Sequence, residues 1–282
     1  MPSFEFPWGW PVSTGPTHAM SGLAAWAAVT ALADGSAIGS LSAKGWLVGA
    51  VLSAGAALLP DLDHPESTVS STFGPITQAA SQLLNGISHG IYRFTRTKHD
   101  ANRDGGHRGL THTLVFAVIA TVVTTAIIQT SRSWALPLLM FFFCGLAVRG
   151  IMHKWSPRHD ALWITGTSLV LTYACLRWTD QTTADAAACG VAVGIGCVAH
   201  YIGDAITEQG CPILWPVPIG WKTWYPVAPP KIFRIRTGGR VEMSLVGPLL
   251  TLIALWMSAI ALHHAGVLPV LDHIPLEPWA KS

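Results

Sequence analysis

Long uncharged apolar runs, separated by short polar connections, dominate the chain: about 18–33, 44–60, 111–130, 134–153, 161–178, 185–203 and 244–263. A hydrocarbon core about 30 Å thick is crossed by roughly 20 apolar residues in a helix. Irregular backbone facing lipid would leave its polar groups unpaired. The pattern therefore predicts an all-α, polytopic membrane bundle with about seven spans. The first two runs are rich in Ala and Gly, so they could be tilted or partly re-entrant, and their small residues would let helices pack closely.

Two polar inserts interrupt this single integral domain, taken as residues 1–282. In the first, 65–105, the residues Ile76, Ala80, Leu83, Leu84, Ile87 and Ile91 recur at helical spacing, which predicts an amphipathic helix lying on the membrane surface. The second, 204–243, is rich in Pro and Trp, and its Gly238-Gly239 between short alternating segments predicts a small β-hairpin. Trp8, Trp10, Trp46, Trp134, Trp155 and Trp178 lie near the ends of runs, as interfacial Trp does. The N-terminal segment carries no Lys or Arg before its apolar run, so no signal-peptide n-region is expected.

Composition agrees with the pattern. Half the residues are hydrophobic and 11% are charged, against the roughly 25% of a soluble domain. A net charge of +2 without a basic run gives no reason to expect nucleic acid as a partner. The five cysteines include no Cys-x-x-Cys, and Cys144, Cys175 and Cys197 fall in apolar runs as small hydrophobes, so neither a disulfide framework nor a thiolate site is expected.

With seven spans, loops 61–110, 154–160 and 204–243 share the face of residue 1. That face collects Arg93, Arg96, Lys98, Arg103, Arg108, Arg149, Lys154, Arg158, Lys222, Lys231, Arg234, Arg236 and Arg240. The other receives Lys44, Arg132, Arg177 and Lys281. The positive-inside rule makes the first face cytoplasmic.

The same bookkeeping sorts the candidate chemistry. His18 precedes the first run; Asp61, Asp63 and His64 end the second; His107 and His112 open the third; His200 and Asp204 close the sixth. All are at one depth on the cytoplasmic face. His200 and Asp204, four apart, share one side of a helix, so carboxylate and imidazole can bind one metal or orient one another. Asp61 and His64, three apart, can do the same. Mixed His/Asp sets without sulfur suit a hydrolytic divalent ion, zinc first and manganese second. An ion would also balance carboxylates that otherwise cost about 2.5–3.5 kcal/mol each at a helix centre. The glycines of "RDGGHRGLTH" would let the backbone fold over the site.

Plainer readings exist. Asp61, Asp63 and His64 could be a solvated helix end between Pro60 and Pro65, and His18 could simply begin a helix. Glu242 could be a surface charge of the hairpin. The basic cluster 234–240 fits a membrane-surface anchor. His89, His99, His153, His159, His263, His264 and His273 are expected to be solvated or interfacial.

Taken together, "TH" at 17–18, "LLPDLDH" at 58–64, "GHRGLTHT" at 106–113 and "HYIGDAITEQGCPILWP" at 200–216 resemble the YdjM-type inner-membrane metal-dependent hydrolases, catalogued as domain of unknown function 457. The resemblance covers roughly residues 17–248, and "TGGRVE" at 237–242 is similar to the family's Gly-then-Glu element before a last helix. Through that family the chain is remotely similar to the zinc-dependent phospholipase C and P1 nuclease group, which implies phosphoester hydrolysis. The insert 65–105 has no clear counterpart in the shortest members. On this reading His18, Asp61, His64, His112, His200 and Asp204 are metal ligands. Asp63 or Glu242 accepts a proton, and His107 and Arg108 neutralise a phosphate. The expected partners are the bilayer and an amphiphilic or lipid substrate. The alternative is a divalent metal or proton transporter built on the same His/Asp cluster.

Overall fold

The computed structural model describes residues 15–33, 36, 38, 41–102, 105–152, 161–179 and 185–268. Among them are seven α-helices: α1 (Gly15–Leu32), α2 (Ala43–Ala56), α3 (Pro75–Thr95), α4 (Leu114–Ile151), α5 (Ala161–Thr179), α6 (Ala186–Ala205) and α7 (Gly247–His264). Their starts follow from local chemistry. Ser42 caps α2 by accepting the Gly45 N–H at 3.2 Å, Thr113 caps α4 at Phe116, and Asp185 caps α6 at Ala187. Pro75 opens α3, where a missing N–H does no harm.

Helices α2 and α6 are rich in small apolar residues and largely buried, which places them at the centre of the bundle. They pack on each other and on α1 and α4, with α7 against α1 and α5 against α4. The contact is close because of small residues. A Cβ added at Gly196 would lie 2.3 Å from the Ser53 carbonyl oxygen, and one at Gly22 would lie 2.5 Å from the same atom. Here backbone meets backbone, as in helix packing within membranes.

The expectation of about seven spans is corrected. Among the described residues, four stretches are long and apolar enough to cross a membrane: Ala43–Asp63, Leu114–Ile151, which folds back on itself at Ser131, Ala186–Ala205 and Glu242–His264. The runs 111–130 and 134–153 are joined in α4, which leaves helical geometry at Ser131 (φ −148°, ψ 44°). At about 1.5 Å per residue, a straight α4 would hold its ends more than 50 Å apart. Instead His112 just before it touches His200, while Gly150 near its end packs on Gly15 and Leu58. The chain therefore turns back at Ser131.

The predicted β-hairpin is also corrected. The described residues contain no strand, only isolated bridges such as Thr207 to Ile235 and Cys211 to Val227. The physical reason lies at Glu242, whose Oε2 accepts the Gly238 N–H at 2.8 Å. That contact winds the chain into a π turn, Glu242–Val246, which leads directly into α7.

Trp46 is a third correction: it is buried, its indole N–H donating to Thr30 Oγ1 at 2.9 Å, because close approach of α1 and α2 takes it into the core. Trp134 and Trp178 are exposed, whereas Trp8, Trp10 and Trp155 lie outside the described residues. The amphipathic helix of the first insert is α3. Its outer face carries the exposed Ile76, Leu83, Ile87 and Phe94, and its inner face the buried Thr77, Ser81, Ser88 and Tyr92. The inner residues are small or hydrogen-bonding because they meet the turns that carry the polar cluster.

Candidate metal centre

Four segments far apart in sequence bring their polar side chains to one buried place. His18 comes from the first turn of α1, Asp61 and Asp63 from the 3-10 turn Pro60–Asp63, His112 from the 3-10 turn Leu110–His112, and His200 and Asp204 from the last turns of α6. Pro60, just past the end of α2, opens the tighter turn, which swings Asp61 and Asp63 to different sides.

The centre of the cluster is a triangle of ligand atoms. His112 Nε2 lies 3.2 Å from His200 Nε2, and Asp204 Oδ2 lies 3.4 Å and 3.5 Å from them. Asp61 Oδ1 adds a fourth atom, 3.9 Å from His112 Nε2 and 3.7 Å from His200 Nε2. Tetrahedral zinc with bonds near 2.1 Å separates its ligands by about 3.4 Å. Beside this, His18, His200 and Asp204 make a second compact group, with the His18 ring stacked on His200 at 4.0 Å. The buried group can hold a metal ion: His18 Nε2 and Asp204 Oδ2 are buried without a hydrogen-bond partner among the described residues. Unpaired buried acceptors are costly, and a cation would satisfy them.

Neighbouring groups fix how the rings point. The Ala57 carbonyl accepts from His200 Nδ1 at 2.8 Å, which leaves Nε2 as the acceptor facing the cluster. Asp63 is fully buried and does not join the triangle. Its Oδ2 accepts from Thr111 Oγ1 and lies 3.5 Å from His112 Nδ1, and its Oδ1 meets His107 Nδ1 at 3.0 Å. Asp63 thus stands behind a histidine that could ligate a metal. Asn85 donates to the Asp63 carbonyl at 2.9 Å and holds that turn. Arg108 Nη2 donates to Asp204 Oδ1 at 3.0 Å while Nη1 bonds Thr207 Oγ1 and the Gly210 carbonyl, so Asp204 keeps Oδ2 for the histidines.

His112 lies in the turn before α4, outside the four membrane-capable stretches. Burial by itself lowers its pKa, but the carboxylates of Asp63 and Asp204 outweigh burial and raise it to about 9.

The loop 105–110 fits as the glycines require. Gly109 approaches α3 so closely that a Cβ would fall 2.1 Å from Ser88 Oγ, which itself accepts the Leu110 N–H and donates to the Gly105 carbonyl.

Of the residues singled out by sequence, His18, Asp61, His112, His200 and Asp204 converge. His64 stands apart from both groups: its extended backbone turns the ring outward, where it stacks on the half-exposed His107 at 4.7 Å. Glu242 is 3% exposed and lines the same cavity as His18 and Asp204. Thr111, Asn85, Ser88 and Thr207 went unrecognised by sequence, since uncharged hydrogen-bonding residues carry no spacing signal; the adjacency of Thr111 to His112 was the one available hint.

A family model described as YdjM inner membrane protein matches residues 13–155 and 148–266. No curated protein matches, and no solved structure matches.

Proposed function

Because the chain belongs to the YdjM inner membrane protein family, we propose that it is a membrane-embedded metal-dependent hydrolase acting on the phosphoester of an amphiphile. The observation that carries this reading is the triangle of His112 Nε2, His200 Nε2 and Asp204 Oδ2 at 3.2–3.5 Å, presented by the turn before α4 and the last turns of α6. A structural zinc is closed by four strong ligands, commonly thiolates. Here the donors are imidazole and carboxylate, and a small cavity adjoins them, which favours chemistry over scaffolding.

His112, His200 and Asp204 would hold one divalent ion, zinc or manganese, with Asp61 beside a fourth position left open for water and His18 serving the neighbouring group. Such an ion supplies Lewis-acid polarisation of a phosphoryl oxygen and an acidified water. The chain's own residues do the rest. Asp63 and Thr111 keep His112 in the ligating tautomer, and Ala57 does the same for His200. Arg108 holds Asp204 and adds positive charge beside the phosphoester. Glu242, buried at the cavity's inner end, is the proton acceptor. The excess of Lys and Arg on the loops beside this cluster supports a cytoplasmic orientation.

The test is metal analysis of the purified protein with His200→Ala and Asp204→Ala, together with turnover of p-nitrophenyl phosphate and dodecyl phosphate. Loss of bound metal and of turnover in both variants, with helicity retained, is expected. Wild-type metal content in either variant would remove the shared site. Zinc flux into proteoliposomes that needs His200, without hydrolysis, would replace the enzyme with a transporter.

A further inference from the structure

A cavity of about 130 Å³ lies where α1, α6 and α7 meet. Its inner end is polar: His18 and Asp204 border it, and Glu242 lines it with Oε1 buried and unpartnered among the described residues. Its walls are Ile202, Ile235, Val246 and Leu250. Ile202 is 59% exposed, and the adjoining Leu245 and Leu249 of the π turn and α7 are exposed as well. Ile202 belongs to the membrane-capable stretch Ala186–Ala205 and Leu245 and Leu249 to Glu242–His264, so in a bilayer these exposed side chains would face hydrocarbon.

We infer that this cavity is a tail subsite, opening sideways into the bilayer, that takes the alkyl chain of an amphiphile whose phosphate lies at the His/Asp cluster. The inference rests on the hydrolase reading for the position of the head group, and adds the path and the substrate class. Polarity along the cavity sets the orientation. An unpaired carboxylate oxygen at the inner end requires a polar or cationic neighbour, whereas the Ile202 to Leu250 wall offers nothing to a polar group. A soluble phosphoester would need no such wall, and a chain reaching the mouth continues into lipid without crossing water.

The test uses the full-length protein in nanodiscs, loaded with zinc, and a dodecyl phosphate carrying a photoreactive diazirine on the carbons nearest the phosphate. Peptide mapping should place the label on Ile202, Val246 and Leu250. Leu250→Trp fills the cavity, and Ile202→Trp narrows its mouth at a position that tolerates bulk. Excluding two methylene groups corresponds to about a tenfold loss of labelling, expected in both variants and absent in Leu249→Trp, whose side chain faces outward. Label confined to Leu249 and Leu252, or equal labelling in all variants, would overturn the tail subsite. Turnover of p-nitrophenyl phosphate by the same preparations reports on the hydrolase reading separately. It should stay within about twofold of wild type in Leu249→Trp, whose side chain lies outside the cavity. If p-nitrophenyl phosphate is never hydrolysed while labelling follows the cavity variants, the chemistry fails and the lipid-chain site stands.

Discussion

Asp63→Asn separates an orienting carboxylate from a proton acceptor. Asp63 is fully buried, and its two oxygens meet His107 Nδ1, Thr111 Oγ1 and His112 Nδ1. It touches no ligand nitrogen that faces the metal triangle. Asparagine keeps the volume and removes the charge that favours the Nδ1–H tautomer of His112. Loss of a carboxylate behind a ligand histidine costs about 10–100-fold in metal affinity, or about 1.4–2.7 kcal/mol. The assay is competitive zinc titration against a chromophoric chelator, with circular dichroism to confirm helicity. His200→Ala, which removes a ligand shared by both compact groups, should lose far more. An Asp63→Asn protein that binds zinc as wild type but turns over no substrate would refute the orienting role and make Asp63 the base.

Three further outcomes are expected. Since the carboxylates of Asp63 and Asp204 raise the His112 pKa to about 9, its proton is bound at neutral pH and must leave when metal binds; apparent affinity should climb about tenfold per pH unit from pH 7 and flatten above 9, as proton release measured by calorimetry in two buffers would show. Asp100 is the hub joining the two polar inserts: burial opposes ionisation, but the Thr97 and Trp224 N–H groups and the Thr223 hydroxyl outweigh it and lower its pKa. Its contribution is therefore present above the ordinary carboxylate value and lost as pH falls through the depressed one, and Asp100→Ala should lower the melting temperature at pH 7 and abolish that acid dependence. Gly109→Ala drives a methyl into Ser88 Oγ and the Gly105 carbonyl, which should destabilise the loop by about 1–3 kcal/mol, read as faster proteolysis within 105–110 and weaker zinc binding.

Legibility in the sequence divides along physical lines. Helix periodicity is local, so α3 and α6, and with them the shared side of His200 and Asp204, follow from spacing alone. The depth of the other candidates follows from the ends of apolar runs, which is why His18, Asp61 and His112 could be expected beside them. Membership of the membrane class is fixed by composition, because 11% charged residues cannot cover a water-facing surface of this size. The turn at Ser131 was visible as the polar break between the apolar runs 111–130 and 134–153.

Only the tertiary structure chose among neighbours. Asp61, Asp63 and His64 are equivalent in sequence, yet the 3-10 turn Pro60–Asp63 rotates Asp63 by about two thirds of a revolution from Asp61, and His64 leaves the turn with extended backbone (φ −104°, ψ 101°). Asp61 therefore faces the metal triangle, Asp63 stands behind His112, and His64 stacks on His107. Likewise Glu242 entered the buried cavity instead of a hairpin surface because its carboxylate captured the Gly238 N–H. The chain by itself determined which chemical groups arrive at the membrane face, since burial of apolar helices sets their depth. Which groups touch was decided by packing, since a shift of one residue in a turn moves a side chain by several ångströms and no local pattern encodes the partner.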